Sequence, residues 1–269
     1  MTTRETPADA SAQGLGGPHV SIVLPAYNEE ARLPAGLERV IEFLGGQPFD
    51  SEIVIADDGS RDRTADIVRE RASAGLPQRV TLRLVQHERN RGKGAAIRTG
   101  VLSARGRYVF FMDADLATPP EDARSLLERL QAGADVAIGT RVQVDGSDMR
   151  ASQPAQRRFV GRLFTLMRKA MRVLPDIDDT QCPLKGFRHD VAQAVFGRQQ
   201  LSGWIFDAEV IYIARSLGYG IVSVPVSWHH VDGSRLRVRP QEAFQVARDL
   251  VRLRFLHPRV DQAVPERQS

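Results

Sequence analysis

The chain has 269 residues, of which 42% are hydrophobic and 26% charged, with a formal net charge of +4. That is enough apolar material to bury a sizeable core in one large or two small domains. No apolar run approaches the roughly 18 to 20 residues of a bilayer span, and Met1 to Pro18 lacks the apolar centre of a signal peptide. A cytoplasmic protein is therefore expected. A single cysteine, Cys182, excludes an internal disulfide and a cysteine-based metal cluster, so a packing role is expected for it. The basic residues are almost all arginine, the lysines being Lys93, Lys169 and Lys185. Arginine's planar fork suits bidentate phosphate binding, although genome composition can produce the same bias. No helix-turn-helix, zinc-finger or RNA-binding aromatic pattern appears, so nucleic acid is not expected as a partner.

Along the first half, two periodicities alternate. Short branched runs predict strands at Val20 to Leu24, Glu52 to Ala56, Val80 to Val85, Arg107 to Met112 and Asp135 to Gly139. Helical spacing predicts helices at Glu29 to Leu44, Thr64 to Ala74, Ala95 to Ala104 and Pro119 to Gln131. Alternation of this kind implies right-handed crossovers and a mostly parallel, Rossmann-like α/β sheet with flanking helices. Ligands of such sheets sit beyond the carboxyl ends of the strands, where this chain places its polar clusters. Tyr27-Asn28-Glu29 follows the first strand, Asp57-Asp58-Gly59-Ser60 the second, Asn90 to Gly94 the third, and Asp113 and Asp115 the fourth.

Each cluster has a plain chemistry. Asp58-Gly59-Ser60 reads as a turn, with Ser60 or Asp62 capping the next helix, or else Asp57 or Asp58 accepts from a nucleobase or ribose. Asn90-Arg91-Gly92-Lys93-Gly94 lacks Walker spacing, but its glycines permit close backbone approach at a helix N-terminus and Lys93 adds a point charge. Tyr108 to Met112 is an apolar run that stops at Asp113-Ala114-Asp115. Alternate side chains share a strand face, so Asp113 and Asp115 can converge on a hard cation such as Mg²⁺ or Mn²⁺, leaving positions for water and diphosphate oxygens.

In this order and at these intervals, Pro25 to Glu30, Asp57 to Ser60, Asn90 to Gly94 and Asp113 to Asp115 resemble the inverting family 2 glycosyltransferases of the GT-A fold. Asp179 to Phe187, Trp204 to Glu209, Pro225 to Trp228 and Gly233 to Leu236 are similar to the branch that holds dolichyl-phosphate β-glucosyltransferases and polyprenyl-phosphate sugar synthases. The resemblance covers Val20 to Leu236, with two departures: Pro183 stands where relatives commonly have glycine, and Arg235 where many have lysine. It implies a nucleotide-sugar donor, UDP-glucose first, with UDP-N-acetylgalactosamine and GDP-mannose behind it. It further implies a divalent metal on Asp113 and Asp115, and inversion at the anomeric carbon. Pro25, Tyr27, Glu29, Asp57, Asp58, Lys93, Asp113 and Asp115 then hold the nucleotide-sugar, and Asp207, Asp115 and Arg235 carry catalysis. Gln181, Lys185, Ser234 and Arg235 are expected to bind the acceptor, a polyprenyl or dolichyl phosphate. A phosphomonoester is already largely anionic at neutral pH, so Asp207 is expected to orient sugar or acceptor more than to remove a proton, with Glu209 as its neighbour. His229 and His230 are possible metal or phosphate contacts, though packing is the commoner use of such a pair.

Two further stretches pair an apolar face with arginine. Gln156 to Leu174 carries Phe159, Leu163, Phe164, Met167 and Met171 beside Arg157, Arg158, Arg162, Arg168, Lys169 and Arg172, and Gln241 to Leu256 repeats the pattern. Such helices lie at a membrane surface or pack on the core with a solvated basic face. With a lipid acceptor, peripheral contact with the cytoplasmic membrane is expected. The predicted organisation is a disordered tail over 1–18, a catalytic domain over 19–239, a basic amphipathic helix over 240–257 and a flexible tail over 258–269. A soluble acceptor, or a non-catalytic nucleotide-sugar-binding protein, are the alternatives; the composition leaves the oligomeric state open.

Overall fold

In the computed structural model, residues 17–152, 155–229 and 240–257 are described. Residues 1–16 of the tail predicted over 1–18, the tail predicted over 258–269, and the site candidates His230, Ser234 and Arg235 lie outside them. Strands β1 (Val20–Ala26) and β2 (Ser51–Asp57) are buried along nearly their whole length, as continuous branched runs require of parallel strands covered on both faces. β3 (Val80–Gln86) is half-exposed because it forms a sheet edge, and β4 (Tyr108–Phe111) and β5 (Val136–Thr140) are fully buried. The first five helices are α1 (Leu33–Gly45), α2 (Thr64–Ser73), α3 (Lys93–Ser103), α4 (Ala123–Gln131) and α5 (Ala155–Ala170). They are followed by β6 (Lys185–Arg188), α6 (His189–Arg198), α7 (Phe206–Ser216), β7 (Ile221–Pro225) and α8 (Pro240–Leu256).

The strands form one sheet in the order β3-β2-β1-β4-β6-β5-β7. The chain winds outward from β1 to β3 and then crosses to the other side of β1 as β4. This reversal opens a crevice at the carboxyl ends of β1 and β4. All pairings are parallel except those of β6, which runs antiparallel between β4 and β5 and places Lys185 opposite Phe111. Alternation along each strand divides the core in two. Val23, Val54 and Phe111 face α3, α6, α7 and α8 on one side, while Ile22, Leu24 and Phe110 face α1 and α4 on the other. Gly100 is what lets α3 lie against β1, since a Cβ there would fall 2.4 Å from Val23 Cγ1.

The predicted helix over Gln156 to Leu174 ends at Ala170. Arg172 and Leu174 take the left-handed conformation, with φ of 53° and 49°. Arg168 turns inward to donate to the carbonyls of Val173 (2.9 Å), Leu174 and Ile177 (2.5 Å). It is therefore buried, and the basic outer face of α5 consists of Arg158, Arg162 and Lys169, with Leu166 exposed among them. No helix among the described residues is long and apolar enough to cross a membrane.

Candidate active site

The loops after β1 and β2 are laced together. Ser60 Oγ accepts from the Asn28 amide (2.8 Å), Thr64 Oγ1 from the Glu29 amide (2.8 Å), and Asn28 Oδ1 from the Arg61 amide (2.9 Å). Asn28 holds φ at 52°, a left-handed conformation that asparagine tolerates better than most residues. Tyr27 is 36% exposed at the crevice, and Pro25 is half-buried at the end of β1. Glu29 binds Arg32 through both carboxylate oxygens, at 2.7 and 2.6 Å.

Asp57 and Asp58 are both buried and both engaged within the protein. Asp57 Oδ1 accepts from the amide and hydroxyl of Ser60, and Oδ2 accepts from Gln86 (2.7 Å). Asp58 Oδ1 meets His87 Nδ1 (2.8 Å) and the Arg91 amide (2.9 Å), while Oδ2 accepts from the Gly92 amide (2.8 Å). Asp58 therefore latches the loop that carries Lys93, and His87, tied also to Thr99 Oγ1 at 2.8 Å, braces the latch. Gly92 sits at φ 100° and a Cβ on it would fall 2.6 Å from the Ser202 carbonyl oxygen, so this close approach requires glycine. Asp58→Ala is expected to cost about 1 to 3 kcal/mol of stability and to accelerate hydrogen exchange at the Arg91 and Gly92 amides. Unchanged exchange at those two amides would remove the latch.

After β4 the chain turns sharply. The Leu116 amide donates to the Asp113 carbonyl (3.2 Å), the Ala117 amide to Asp115 Oδ1 (3.1 Å), and Leu116 adopts φ 51°, an unusual setting for a leucine. Lys93 reaches across from the start of α3 to bind Asp113 Oδ1 at 2.5 Å, and its ammonium lies 5.8 Å from the Trp204 ring centre. Burial works against the Lys93 charge, but Asp113, Asp207 and Asp115 outweigh it and hold its pKa above the ordinary lysine value. Burial and the like charge of Asp113 raise the Asp115 carboxyl, with Ala117, Lys93 and Arg32 acting in the opposite sense. Among the described residues no cluster of three or more carboxylate, imidazole or thiol groups could hold a metal. Two hard oxygen ligands of like charge, only partly offset by Lys93 and Arg32, fit Mg²⁺ or Mn²⁺, which commonly bind through one or two carboxylates plus substrate phosphate.

Asp207 and Glu209 stand in the first turn of α7, where the helix dipole favours negative charge. Lys185 Nζ binds Asp207 Oδ1 at 2.5 Å, donates to the Cys182 carbonyl at 2.7 Å and lies 5.2 Å from the Phe111 ring centre. Burial raises the Asp207 carboxyl, opposed by Lys185 and Lys93. Lys185, expected at the acceptor, is paired with Asp207 inside the protein. Its side chain has no exposed surface, because β6 carries it into the sheet, and its charge is committed to Asp207. Glu209 likewise serves the scaffold, accepting from the amides of Gln200 (2.9 Å) and Leu201 (2.8 Å) and meeting His257 Nε2 at 2.9 Å.

Gln181, half-buried, has a side-chain Nε2 with no hydrogen-bond partner among the described residues. Beside it Asp179 takes Arg141 in a fork, from Nε at 2.7 Å and Nη2 at 2.8 Å, and accepts the Arg141 amide at 3.0 Å. Burial alone would raise the Asp179 carboxyl, but Arg141 and Arg150 hold it well below the usual carboxylate range. Arg141 also lies over Trp228, 5.6 Å from the ring centre. Cys182 is fully buried, and burial pushes its thiol up to about 12, so it remains protonated and inert. His229 donates its amide to the Ala117 carbonyl (2.9 Å), bringing the chain after β7 beside the Asp115 turn.

The structure thus brings Lys93, Asp113, Asp115 and Asp207 into one electrostatic neighbourhood, and withdraws Lys185 from solvent. Sequence reasoning missed Arg32, His87 and Arg141. Arg32 follows Glu29 by three residues, a spacing that makes a pair on a helical turn, and so was findable. His87 and Arg141 act across long separations, and nothing local marks them.

Comparison with known proteins adds lineage to this geometry. Residues 21–196 match Glycosyl transferase family 2. The dolichyl-phosphate beta-glucosyltransferase of Dictyostelium discoideum is 35% identical over 248 residues, covering 88% of this chain and 74% of the relative. The human protein of the same name is 32% identical over 256 residues, covering 88% of this chain and 76% of the relative. Among solved structures, glucosyl-3-phosphoglycerate synthase from Mycobacterium tuberculosis with Mn²⁺, uridine-diphosphate and glucosyl-3-phosphoglycerate superposes with a TM-score of 0.64 at 20% identity, covering 90% of this chain and 81% of that one. The same enzyme with Mn²⁺ and uridine-diphosphate-glucose gives a TM-score of 0.64 at 19% identity, covering 90% and 80%. The architecture is the GT-A fold.

Proposed function

The chain belongs to glycosyl transferase family 2 and is a glycosyltransferase, and from that premise we propose that it moves glucose from UDP-glucose to a polyprenyl phosphate with inversion at the anomeric carbon. The observation that carries this reading is the Lys93 ammonium, 2.5 Å from Asp113 Oδ1 at the strand end and 5.8 Å from the Trp204 ring just before α7. The strand-end carboxylates and the acid of α7 therefore address one crevice. The names of the relatives that match most of the chain supply the acceptor class and the sugar.

A phosphate oxygen of the acceptor attacks the anomeric carbon, the bond from that carbon to the diphosphate breaks, and the products are a lipid-linked sugar phosphate and UDP. Tyr27, Pro25 and Glu29 line the nucleotide side, and Asp57 and Asp58 shape it by fixing the loops after β2 and β3. Mg²⁺ or Mn²⁺ held by Asp113 and Asp115 would act as a Lewis acid, stabilising charge on the departing diphosphate. Lys93 contributes a second positive charge at that oxygen cluster. Asp207, held in orientation by Lys185, positions the sugar and the incoming acceptor, while the Gln181 amide offers the acceptor side a donor. Arg235 and Ser234 are assigned to the acceptor phosphate from their motif alone.

An acceptor with a long hydrocarbon tail requires the protein to work at a bilayer. On α8, Arg248, Val251, Arg252 and Phe255 are exposed along one face, and Phe255 is 78% exposed. We assign this face, with the basic face of α5, to peripheral contact with anionic headgroups on the cytoplasmic side, each basic side chain contributing about 1 kcal/mol. Purified protein with Mg²⁺ or Mn²⁺ and polyprenyl phosphate is expected to move label from UDP-[¹⁴C]glucose into the organic phase. Labelled UDP-N-acetylgalactosamine and GDP-mannose give the donor comparison. Label that stays aqueous with every donor would overturn the lipid-acceptor reading.

A further inference from the structure

We propose that Lys93 is the resident counter-ion of the Asp113–Asp115 pair, and that a divalent cation gains this site only by displacing the Lys93 ammonium, so that metal binds tightly only together with a nucleoside diphosphate. This deepens the reading of Asp113 and Asp115 as metal-holding residues and rests on it.

Both cations need the same carboxylate oxygen. Lys93 Nζ stands 2.5 Å from Asp113 Oδ1, in direct ionic contact with one of the two carboxylates that would hold a metal. A dication brought to the same carboxylate would sit within a few ångströms of the ammonium, where two positive charges repel strongly in a partly desolvated crevice. Charge balance points the same way. Lys93 offsets Asp113, and Lys93 and Arg32 both favour the charged form of Asp115, so the pair already has cationic neighbours.

The lysine can yield without the loop yielding. Its backbone is held on every side: the Arg91 and Gly92 amides by Asp58, the Gly94 amide by the Ser202 carbonyl at 2.8 Å, and the Gly94 carbonyl by Gln199 Nε2 at 2.9 Å. The four-carbon stem is the flexible part, and the exposed Trp204 ring at 5.8 Å gives the ammonium a second favourable surface. A diphosphate entering beside the start of α3 would offer Lys93 anionic oxygens and leave Asp113 to the metal. Metal and diphosphate then each remove an obstacle to the other. Linkage requires that each tighten the other by the same factor.

The test is Mn²⁺ binding followed by the electron paramagnetic resonance signal of free Mn²⁺, on the full chain, with and without UDP. Wild type is expected to bind Mn²⁺ weakly alone and about tenfold or more tightly with UDP. Lys93→Met is expected to bind Mn²⁺ alone about tenfold more tightly than wild type and to lose the part of the UDP-dependent gain that does not come from diphosphate oxygens ligating the metal. Lys93→Gln, which removes the charge and keeps a polar chain, should change in the same direction, which guards against a packing effect particular to methionine. If wild type shows UDP-dependent binding while both variants bind Mn²⁺ alone no more tightly than wild type, the counter-ion role is overturned and the metal reading stands. If wild type binds no Mn²⁺ with or without UDP, the metal reading falls and takes this inference with it.

Discussion

Lys185→Met is expected to destabilise the protein by about 3 kcal/mol and to remove most of its turnover, because the residue is the buried partner of Asp207. Removing one member of a buried ion pair leaves the other charge without compensation, which typically costs about 3 to 5 kcal/mol. Lys185 is fully buried against Asp207, itself almost fully buried, and its other polar contact is the Cys182 carbonyl. The lower end of that range is expected because Lys93 remains within reach of Asp207. Urea denaturation measures the loss. The double variant Lys185→Met, Asp207→Leu should recover much of the stability and none of the turnover, since it removes the stranded charge along with the group proposed to orient the substrate. A single variant as stable as wild type would mean that the pair does not hold this part of the fold.

Asp115→Asn should separate activity from stability in the opposite direction. A drop in kcat of about 10² to 10³ is expected, the usual size for losing one group that stabilises developing charge. The fold should become slightly more stable. Burial and Asp113 raise the Asp115 carboxyl above its ordinary value, so the folded chain bears a penalty for ionising it that the unfolded chain does not. The penalty is present at neutral pH and fades as pH falls below the ordinary carboxylate pKa, where both states hold the proton. The stabilisation of Asp115→Asn over wild type should shrink in the same window. Thermal melts at pH 7 and pH 3 compare the two, and a variant less stable than wild type at pH 7 would contradict the reading.

The first half of the chain was legible because its strands are continuous apolar or branched runs set between stretches of helical spacing. Val20 to Ala26 and Ser51 to Asp57 end in polar clusters, and a parallel sheet sends those clusters to one edge. The second half was legible mainly through resemblance. Lys185-Gly186-Phe187-Arg188 is a four-residue strand, too short for any period, and its antiparallel insertion between β4 and β5 is a tertiary choice. That is why Lys185, in a polar motif, read as a solvent-facing phosphate ligand. Asp57 and Asp58 illustrate a related limit. Their types and position suit a nucleotide pocket, yet their carboxylates are engaged by Ser60, Gln86, His87 and the Arg91–Gly92 amides, some of them about thirty residues away. Arg168 failed for a local reason: a basic residue in the last turn of a helix is drawn inward when the chain beyond it exposes carbonyls.

The antiparallel strand has one more consequence. Phe111, two residues before Asp113, is paired across the ladder with Lys185, which grips Asp207. Asp113, two residues past one member of that rung, and Asp207, ion-paired to the other, are thus both tied to a single cross-strand pair. The separation of these two carboxylates is therefore tied to strand spacing, which a change of loop sequence leaves in place.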